Sequence, residues 1–488
     1  MAFAPDAVKR GLAAAIPAIA ASAALLWFGT GLEPMWPLVW LAPVPVLVFA
    51  ARASWGGAAA AAAIAWLLGQ LNLWHYLHGA LHVPAPILAQ IYGGEALAAA
   101  LGVLLYRALI RRGAPWSAIL GFAALRVVYE LGVDLGSPHG TAGSLAYSQL
   151  GCLPLLQLAS VTGLWGVAFV ATAIPAALAA TWQLRATPRR ALRVAGIAGA
   201  ALAIVLGLGA IRLAGDAGPT VRVGLIASDP PTSPAVADDG APTAALLDSY
   251  ALAAERLATE QRAAIVVLPE KLGVVTPATA AEIDARFQAI AERTGAVLIA
   301  GVIRVAPPVK YNEARIYARG APVATYAKRH MLPPFESMFA PGTELALRPG
   351  PHGPWGVAIC KDMDFTPLSR DYGRAGTALL LVPAWDFVLD RSWHGHMAIL
   401  RGVENGFAIA RAAKQGYLTV SDNRGRILAE TASDAAPFTT LVADVPAAHA
   451  PTLYARLGDW FAWLALALLA AALLRLLGVV PLRGRPAG

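Results

Sequence analysis

The chain has 488 residues, of which 57% are hydrophobic and only 14% charged, against about a quarter charged in soluble domains. With a mean hydropathy of +0.57 and 14 tryptophans, that excludes an ordinary soluble protein and points to a membrane protein. The net charge of +8 would suit a nucleic-acid partner, but its placement argues against one, and Cys152 and Cys360 are too few for a disulfide framework or a zinc cluster.

Seven apolar segments precede residue 215, at residues 11–28, 36–50, 56–76, 86–109, 116–133, 161–183 and 192–213, and an eighth covers 460–480. Most reach the roughly 20 residues that cross a bilayer. The second is short and holds Pro43 and Pro45, which predicts a kink or a re-entrant turn. The first resembles a signal peptide, with Lys9 and Arg10 before an apolar run. The run continues past the cleavage-like Ala21-Ser-Ala23 and more spans follow, so it reads as a retained helix.

Basic residues alternate between connections. Lys9 and Arg10, Arg52, Arg107 with Arg111 and Arg112, Arg185 with Arg189, Arg190 and Arg193, and Arg475 with Arg483 and Arg485 mark one side. The connections near Glu33, His82 and Asp134 are almost free of Lys and Arg. The positive-inside rule then puts both termini in the cytoplasm and the long loop outside. The expected layout is a membrane domain with seven transmembrane helices over 1–215, an extracytoplasmic domain over 216–455, and a last transmembrane helix with a short cytoplasmic tail over 456–488. The basic surplus is therefore topological, and no nucleic acid is expected as a partner.

The loop domain changes character. Strand-like runs at 221–227, 265–268, 296–302, 355–359, 379–382, 408–411, 417–421 and 426–430 alternate with helical patterns at 244–262, 280–294 and 393–404. A hairpin is expected around Arg319-Gly320, and a loop at 229–242. Such alternation indicates an α/β domain.

Reactive groups fall at the ends of these runs. Cys360 closes the strand WGVAI and is followed by Lys361, Asp362 and Asp364. It suits either a nucleophile, whose thiolate a cation would favour, or a buried structural thiol. Lys361 suits either a pKa-lowering neighbour or a solvated side chain. Glu270 follows VVLP, and Lys328 lies in YAKRHMLPPFE (326–336). Each by itself reads as readily as a solvated strand end or loop.

Together, Glu270, Lys328 and Cys360 resemble the triad of the nitrilase (carbon–nitrogen hydrolase) superfamily. With the membrane plan the closer resemblance is to bacterial apolipoprotein N-acyltransferases. It rests on LPE (268–270), YNEARIYARG (311–320), YAKRHMLPPFE, RGVENGFAIARAAKQG (401–416) and SDNRGRILAE (421–430). In the membrane part it rests on AYSQ (146–149), Pro154, Gln157 and GLWGV (163–167). The resemblance implies a polytopic α-helical bundle of about eight spans with a nitrilase-type αββα sandwich, in the bacterial inner membrane with the sandwich on the periplasmic side. It implies a ping-pong acyltransferase that moves an acyl chain from a phospholipid, through a thioester on Cys360, to the α-amino group of a diacylglyceryl-cysteine at a lipoprotein N-terminus. Glu270 would be the base and Lys328 the oxyanion partner. Glu336, Lys361, Asp362, Trp385 and Glu404 would support them. The alternatives are a membrane-tethered amidase that hydrolyses a C–N bond, and transfer to a different amine.

The pattern departs from the family around the nucleophile. Lys361 and Asp362 stand where an aromatic and Glu are usual, VPAWDF (382–387) replaces NDAWFG, and Lys271-Leu-Gly follows the base motif. Other candidates lie elsewhere. His75, His78 and His82 could share a helix face toward a metal, but with Trp74 and Tyr76 they read more simply as an interfacial helix end. His394 and His396 suit a cleft or, preferably, a structural role. Arg126 and Glu130 are an i, i+4 pair inside an apolar segment. With no phosphate-binding glycine loop and no convincing metal set, no cofactor is expected.

Overall fold

The computed structural model describes residues 5–215, 218–229 and 241–478. The loop expected at 229–242 falls mostly outside them, as do Arg483, Arg485 and the tail. The chain divides into two compact units. One holds Met1–Gly136, Gly143–Leu213 and Asp459–Gly488; the other holds Ser137–Ala142 and Ala214–Gly458.

The first unit is helical. Its longer helices are Pro5–Gly29, Trp55–Gln70, Ala85–Arg111, Pro115–Gly136, Leu164–Gln183, Pro188–Ala214 and Trp460–Leu476. Residues 36–50 form two short helices, Trp36–Val39 and Val44–Ala50, because Pro43 and Pro45 can neither donate to the preceding turn nor fit beside its carbonyls. Buried alanines, among them Ala58, Ala62, Ala65, Ala99 and Ala118, let neighbouring helices approach closely around Trp66, Tyr106 and Phe122.

Among the described residues, four helices are long and apolar enough to cross a membrane: Trp55–Leu73, Ala85–Arg111, Leu164–Gln183 and Pro188–Ala214. This falls short of the eight segments expected. Ala13–Gly29, Trp36–Ala50 and Trp460–Leu476 are apolar but shorter, and Pro115–Gly136 carries Arg126, Glu130 and Asp134. Arg126 lies 2.6 Å from Glu130 and 2.5 Å from Glu95, a third member that the i, i+4 spacing did not reveal. Glu130 also accepts from Ser144 Oγ at 2.6 Å and the Leu145 N–H at 3.0 Å. His75–Ala80 winds as a π-helix in which His78 stacks on Trp74 with ring centroids 4.9 Å apart.

The second unit is a four-layer αββα sandwich. Its strands in chain order are β1 (Thr220–Ala227), β2 (Ile265–Val267), β3 (Val274–Val275), β4 (Val297–Ala306), β5 (Val309–Tyr317), β6 (Ala324–Ala327), β7 (Ala346–Arg348), β8 (Trp355–Val357), β9 (Leu379–Trp385), β10 (Ala408–Lys414), β11 (Tyr417–Ser421), β12 (Ile427–Ala432) and β13 (Thr439–Pro446). One sheet runs β13-β1-β2-β4-β5-β6, with β3 paired to β4; the other runs β12-β11-β10-β9-β8-β7.

Both faces of each central strand are buried, which is why these strands read as continuous apolar runs rather than alternating ones. Leu225, Val267 and Ile299 of one sheet meet Val357, Leu381 and Ala410 of the other between the sheets. The intervening Ile226, Val266 and Leu298 pack outward on helices Ala241–Thr259 and Ala280–Thr294. On the far side Leu380, Val382 and Ile409 pack on Thr366–Arg374 and Trp393–Asn405. The parallel pairs β1·β2, β2·β4, β8·β9 and β9·β10 bring the carboxyl ends of the inner strands together. Glu270 and Cys360 follow two of those ends, after β2 and β8.

Candidate active site

Glu270 is set by the turn after β2. This turn runs along β4, with Leu272 N–H bonded to Gly301 O at 2.8 Å and Gly301 N–H to Pro269 O at 3.1 Å. A Cβ on Gly301 would come within 2.6 Å of the Glu270 Cα, so glycine is required for this approach. Lys328 follows β6, and its N–H bonds Asn312 O on β5 at 2.8 Å. Cys360 opens a 3₁₀ turn, Cys360–Asp364, directly after β8. Its φ of 43° is a strained, left-handed conformation for a residue with a side chain.

Asp362 holds that turn. Its Oδ2 accepts from Ile359 N–H at 3.0 Å and from Tyr326 Oη at 2.7 Å. Its Oδ1 accepts from the N–H groups of Arg329 and His330 at 3.1 and 2.9 Å. One carboxylate thus ties the nucleophile turn to the loop that carries Lys328.

Glu270, Lys271, Lys328, Leu332, Cys360, Lys361, Trp385, Phe387 and His394 line one pocket of about 330 Å³ that opens to solvent. Lys328 Nζ donates to Glu270 Oε1 at 2.9 Å and to Glu336 Oε2 at 2.8 Å. Asn312 Nδ2 bridges Glu270 Oε1 and Glu336 Oε1. Glu336 Oε1 also takes a proton of Lys271 Nζ at 2.8 Å. Glu270 Oε2 is buried with no hydrogen-bond partner among the described residues, so one oxygen of this carboxylate is free to take a proton.

The charges respond to this arrangement. Burial would lower the Lys328 pKa, but Glu270 and Glu336 hold it well above its ordinary value. Burial would raise that of Glu336, but Lys328 and Lys271 hold it well below the carboxylate range. Burial pushes the Cys360 thiol up, as does Glu270, with Lys328 and Arg411 opposing. Cys360 is therefore a thiol at neutral pH and needs a base to react. Its Sγ contacts Trp385 O at 3.5 Å.

The departures from the family pattern have physical partners. Lys361 is buried rather than solvated. Its Nζ binds Asp364 Oδ2 at 3.1 Å and donates to His139 Nδ1 at 3.2 Å. Burial and Lys361 lower the His139 pKa to about 4, so it accepts as a neutral ring. Thr141 N–H and Oγ1 both bond Asp364 O, at 3.1 and 2.8 Å, so Ser137–Ala142 straps the nucleophile turn. Asp386 forms a buried two-pronged pair with Arg411, and Lys271 serves Glu336.

Glu404 is buried against Arg401 at 2.8 Å and does not line the pocket. Lys271, Asn312, His139 and His394 were not singled out as site residues from the sequence. Of the two histidines expected in a cleft or a structural role, His394 lines the pocket and His396 does not. Cys152 and Cys360 are both free thiols.

Two stacked sheets between helical layers, with Glu, Lys and Cys converging at strand ends, define a nitrilase-type domain. Comparison with known proteins agrees: residues 223–453 match the family model for carbon-nitrogen hydrolase, and residues 22–177 match that for the apolipoprotein N-acyltransferase N-terminal domain. Each model matches its own part of the chain, and together they support an apolipoprotein N-acyltransferase of the nitrilase superfamily. An apolipoprotein N-acyltransferase from Geobacter metallireducens is 34% identical over 132 residues, 26% of this chain and 24% of that one. Another, from Bradyrhizobium diazoefficiens, is 28% identical over 348 residues, 63% of this chain and 64% of that one. The chain thus spans about a quarter and just under two thirds of these relatives. Among solved structures, an amidase from Nesterenkonia sp. is 23% identical with a TM-score of 0.40, over 47% of this chain and 92% of that one. A nitrilase-superfamily protein of Saccharomyces cerevisiae is 21% identical with a TM-score of 0.41, over 48% and 93%.

Proposed function

We propose that this protein is a phospholipid-dependent apolipoprotein N-acyltransferase. The observation that carries the reading is the unpartnered Glu270 Oε2 in the pocket that Cys360 and Lys328 share. In the first half-reaction Glu270 takes the Cys360 proton, and Sγ attacks the carbonyl of the donor's sn-1 ester. Lys328 and a backbone N–H of the nucleophile turn stabilise the tetrahedral oxyanion. Collapse breaks the C–O bond, and the lysophospholipid leaves with the proton from Glu270. In the second half-reaction the α-amino group of a diacylglyceryl-cysteine attacks the thioester. Glu270 accepts the amine proton and returns it to the departing thiol. Asn312, Glu336 and Lys271 hold the base and the lysine in register, and Asp362 and Trp385 hold the nucleophile turn.

The layout proposed with this function is a membrane domain of seven spans over 1–215, a catalytic domain over 216–455 and a last span with a cytoplasmic tail over 456–488. Both termini would be cytoplasmic and the catalytic domain periplasmic, in the bacterial inner membrane. The alternation of basic connections supports it.

Incubation with phospholipid should add one acyl chain to the intact protein, released by hydroxylamine and absent in Cys360→Ala. A diacylglyceryl peptide should discharge it as an N-acyl product. An active preparation that forms no adduct sinks the reading.

A further inference from the structure

The pocket around Cys360 is lined by one carboxylate, Glu270, and four basic side chains, Lys271, Lys328, Lys361 and His394. Acyl transfer uses Glu270 and Lys328, and Lys271 is engaged by Glu336. Lys361 and His394 have no part in that chemistry. They share Asp364, with Lys361 Nζ 3.1 Å from Oδ2 and His394 Nδ1 3.7 Å from Oδ1. His394 Nε2 is 3.1 Å from Asp390 Oδ2.

The orientation of these pairs matters more than their sum. Asp364 and Asp390 are buried and do not line the pocket, whereas their basic partners do. Each pair is thus set with its basic residue at the cavity wall and its acidic residue away from it. Pairs set this way leave a positive field in the pocket. His394 Nδ1, 3.7 Å from Asp364, is a buried atom with no hydrogen-bond partner among the described residues. Burial works against its charge, but Asp390 and Asp364 hold its pKa up, at about 10. A cation at the pocket wall with an unmatched donor suits an anionic oxygen.

We propose that Lys361 and His394 form a phosphate-binding subsite beside Cys360, which takes the phosphodiester of the glycerophospholipid donor. This rests on the phospholipid reading above and adds to it. Lys361 directly follows the nucleophile, so a phosphate held there places the glycerol ester against Sγ. The subsite accounts for a lysine at the position where the family usually carries an aromatic residue. It also makes a charged headgroup linkage, rather than the acyl chain alone, a determinant of the donor.

The test offers the full-length protein the same acyl chain in a glycerophospholipid and in an uncharged diacylglycerol, and follows acylation of Cys360 by intact mass. The wild type should prefer the phospholipid. His394→Gln and Lys361→Gln should each lower the phospholipid-to-diacylglycerol rate ratio by about tenfold or more, while Lys361→Arg keeps it. Should Lys361→Gln fail to fold, His394→Gln decides. A ratio that does not move, whatever happens to the two rates, overturns the subsite, because a merely structural role slows both donors alike. A wild type that takes both donors equally also overturns it and leaves the thioester chemistry standing. A wild type acylated by neither donor overturns the acyl-transfer reading and the subsite with it. Inorganic phosphate separates the two sources of the anion. A headgroup site requires that it compete only at concentrations far above those of the lipid, and tight inhibition by phosphate alone overturns the lipid assignment.

Discussion

Lys328 Nζ lies 2.9 Å from Glu270 Oε1, while Oε2 of the same carboxylate is buried and unpartnered. One oxygen is thus fixed by the lysine and Asn312, and in the proposed reaction the other moves the proton. Glu270→Gln keeps the shape and removes the base. It should slow formation of the acyl-enzyme by about 10²- to 10⁴-fold, with the protein still folded in detergent. Single-turnover acylation by intact mass checks this, and a loss under tenfold would remove Glu270 from the proton path.

The raised thiol pKa of Cys360 gives a second expectation. Burial and Glu270 both disfavour the thiolate, so alkylation by iodoacetamide should climb with pH without an inflection below about pH 9, later than a free cysteine at about 8.5. An inflection near pH 7 would mean a stable thiolate and no need for a separate base.

Much of this architecture can be read from the chain, and the exceptions have causes. Strands β2, β9 and β10 lie between two buried faces, so they stand out as apolar runs. Strand β13 is only half-buried along its middle and carries Asp444, and β7 is three residues long; neither rises above its surroundings. Helix Thr366–Arg374 is amphipathic but short and polar, with Pro367 in its first turn, so it reads as a loop. Glu270, Lys328 and Cys360 were legible because each ends a strand or follows one in a characteristic phrase. His139 was not, because its only sign is a contact with Lys361, 222 residues away. Lys271 and Lys361 read as departures from a pattern, and only their partners Glu336 and Asp364 explain them.

Glu336 neutralises two ammonium groups, those of buried Lys328 and half-buried Lys271, through separate oxygens. Glu336→Gln should leave both undercompensated. A destabilisation of about 3 kcal/mol is expected for breaking a buried pair of this kind, together with slower acylation as Lys328 shifts. Chemical denaturation and single-turnover kinetics on the same preparation check both. Unaltered stability would show that Asn312 and Glu270 suffice to hold the lysine.

The strap on the nucleophile turn can be probed at Gly140. Its φ is +52°, and a Cβ there would meet Asp364 O at 2.6 Å. Gly140→Ala must push that carbonyl, and with it the turn that carries Cys360, at a backbone cost of about 1–2 kcal/mol. Acylation should fall by about tenfold if that cost is expressed at the nucleophile. Gly143→Ala, with open space around it, is the control and should match the wild type. Equal rates for the two variants would show that residues 137–142 merely rest on the turn.

His394 ties stability to pH. Its pKa in the folded protein is raised to about 10 by Asp390 and Asp364, against burial, from about 6.5 when free. His139 and Asp386 also act on this cluster. Below pH 6.5 both folded and unfolded states hold the proton, and the gain from the two carboxylates is fully present. Between about pH 6.5 and 10 the unfolded chain releases the proton while the folded protein keeps it, so the folded state binds more protons and stability falls as pH rises. Above 10 the gain is lost. The wild type should therefore exceed His394→Gln in Tm by the largest margin near pH 6, and the margin should narrow steadily to pH 10. Thermal unfolding of both proteins in one detergent across that range measures it. A margin independent of pH would mean that the ring contributes by packing and not by its charge.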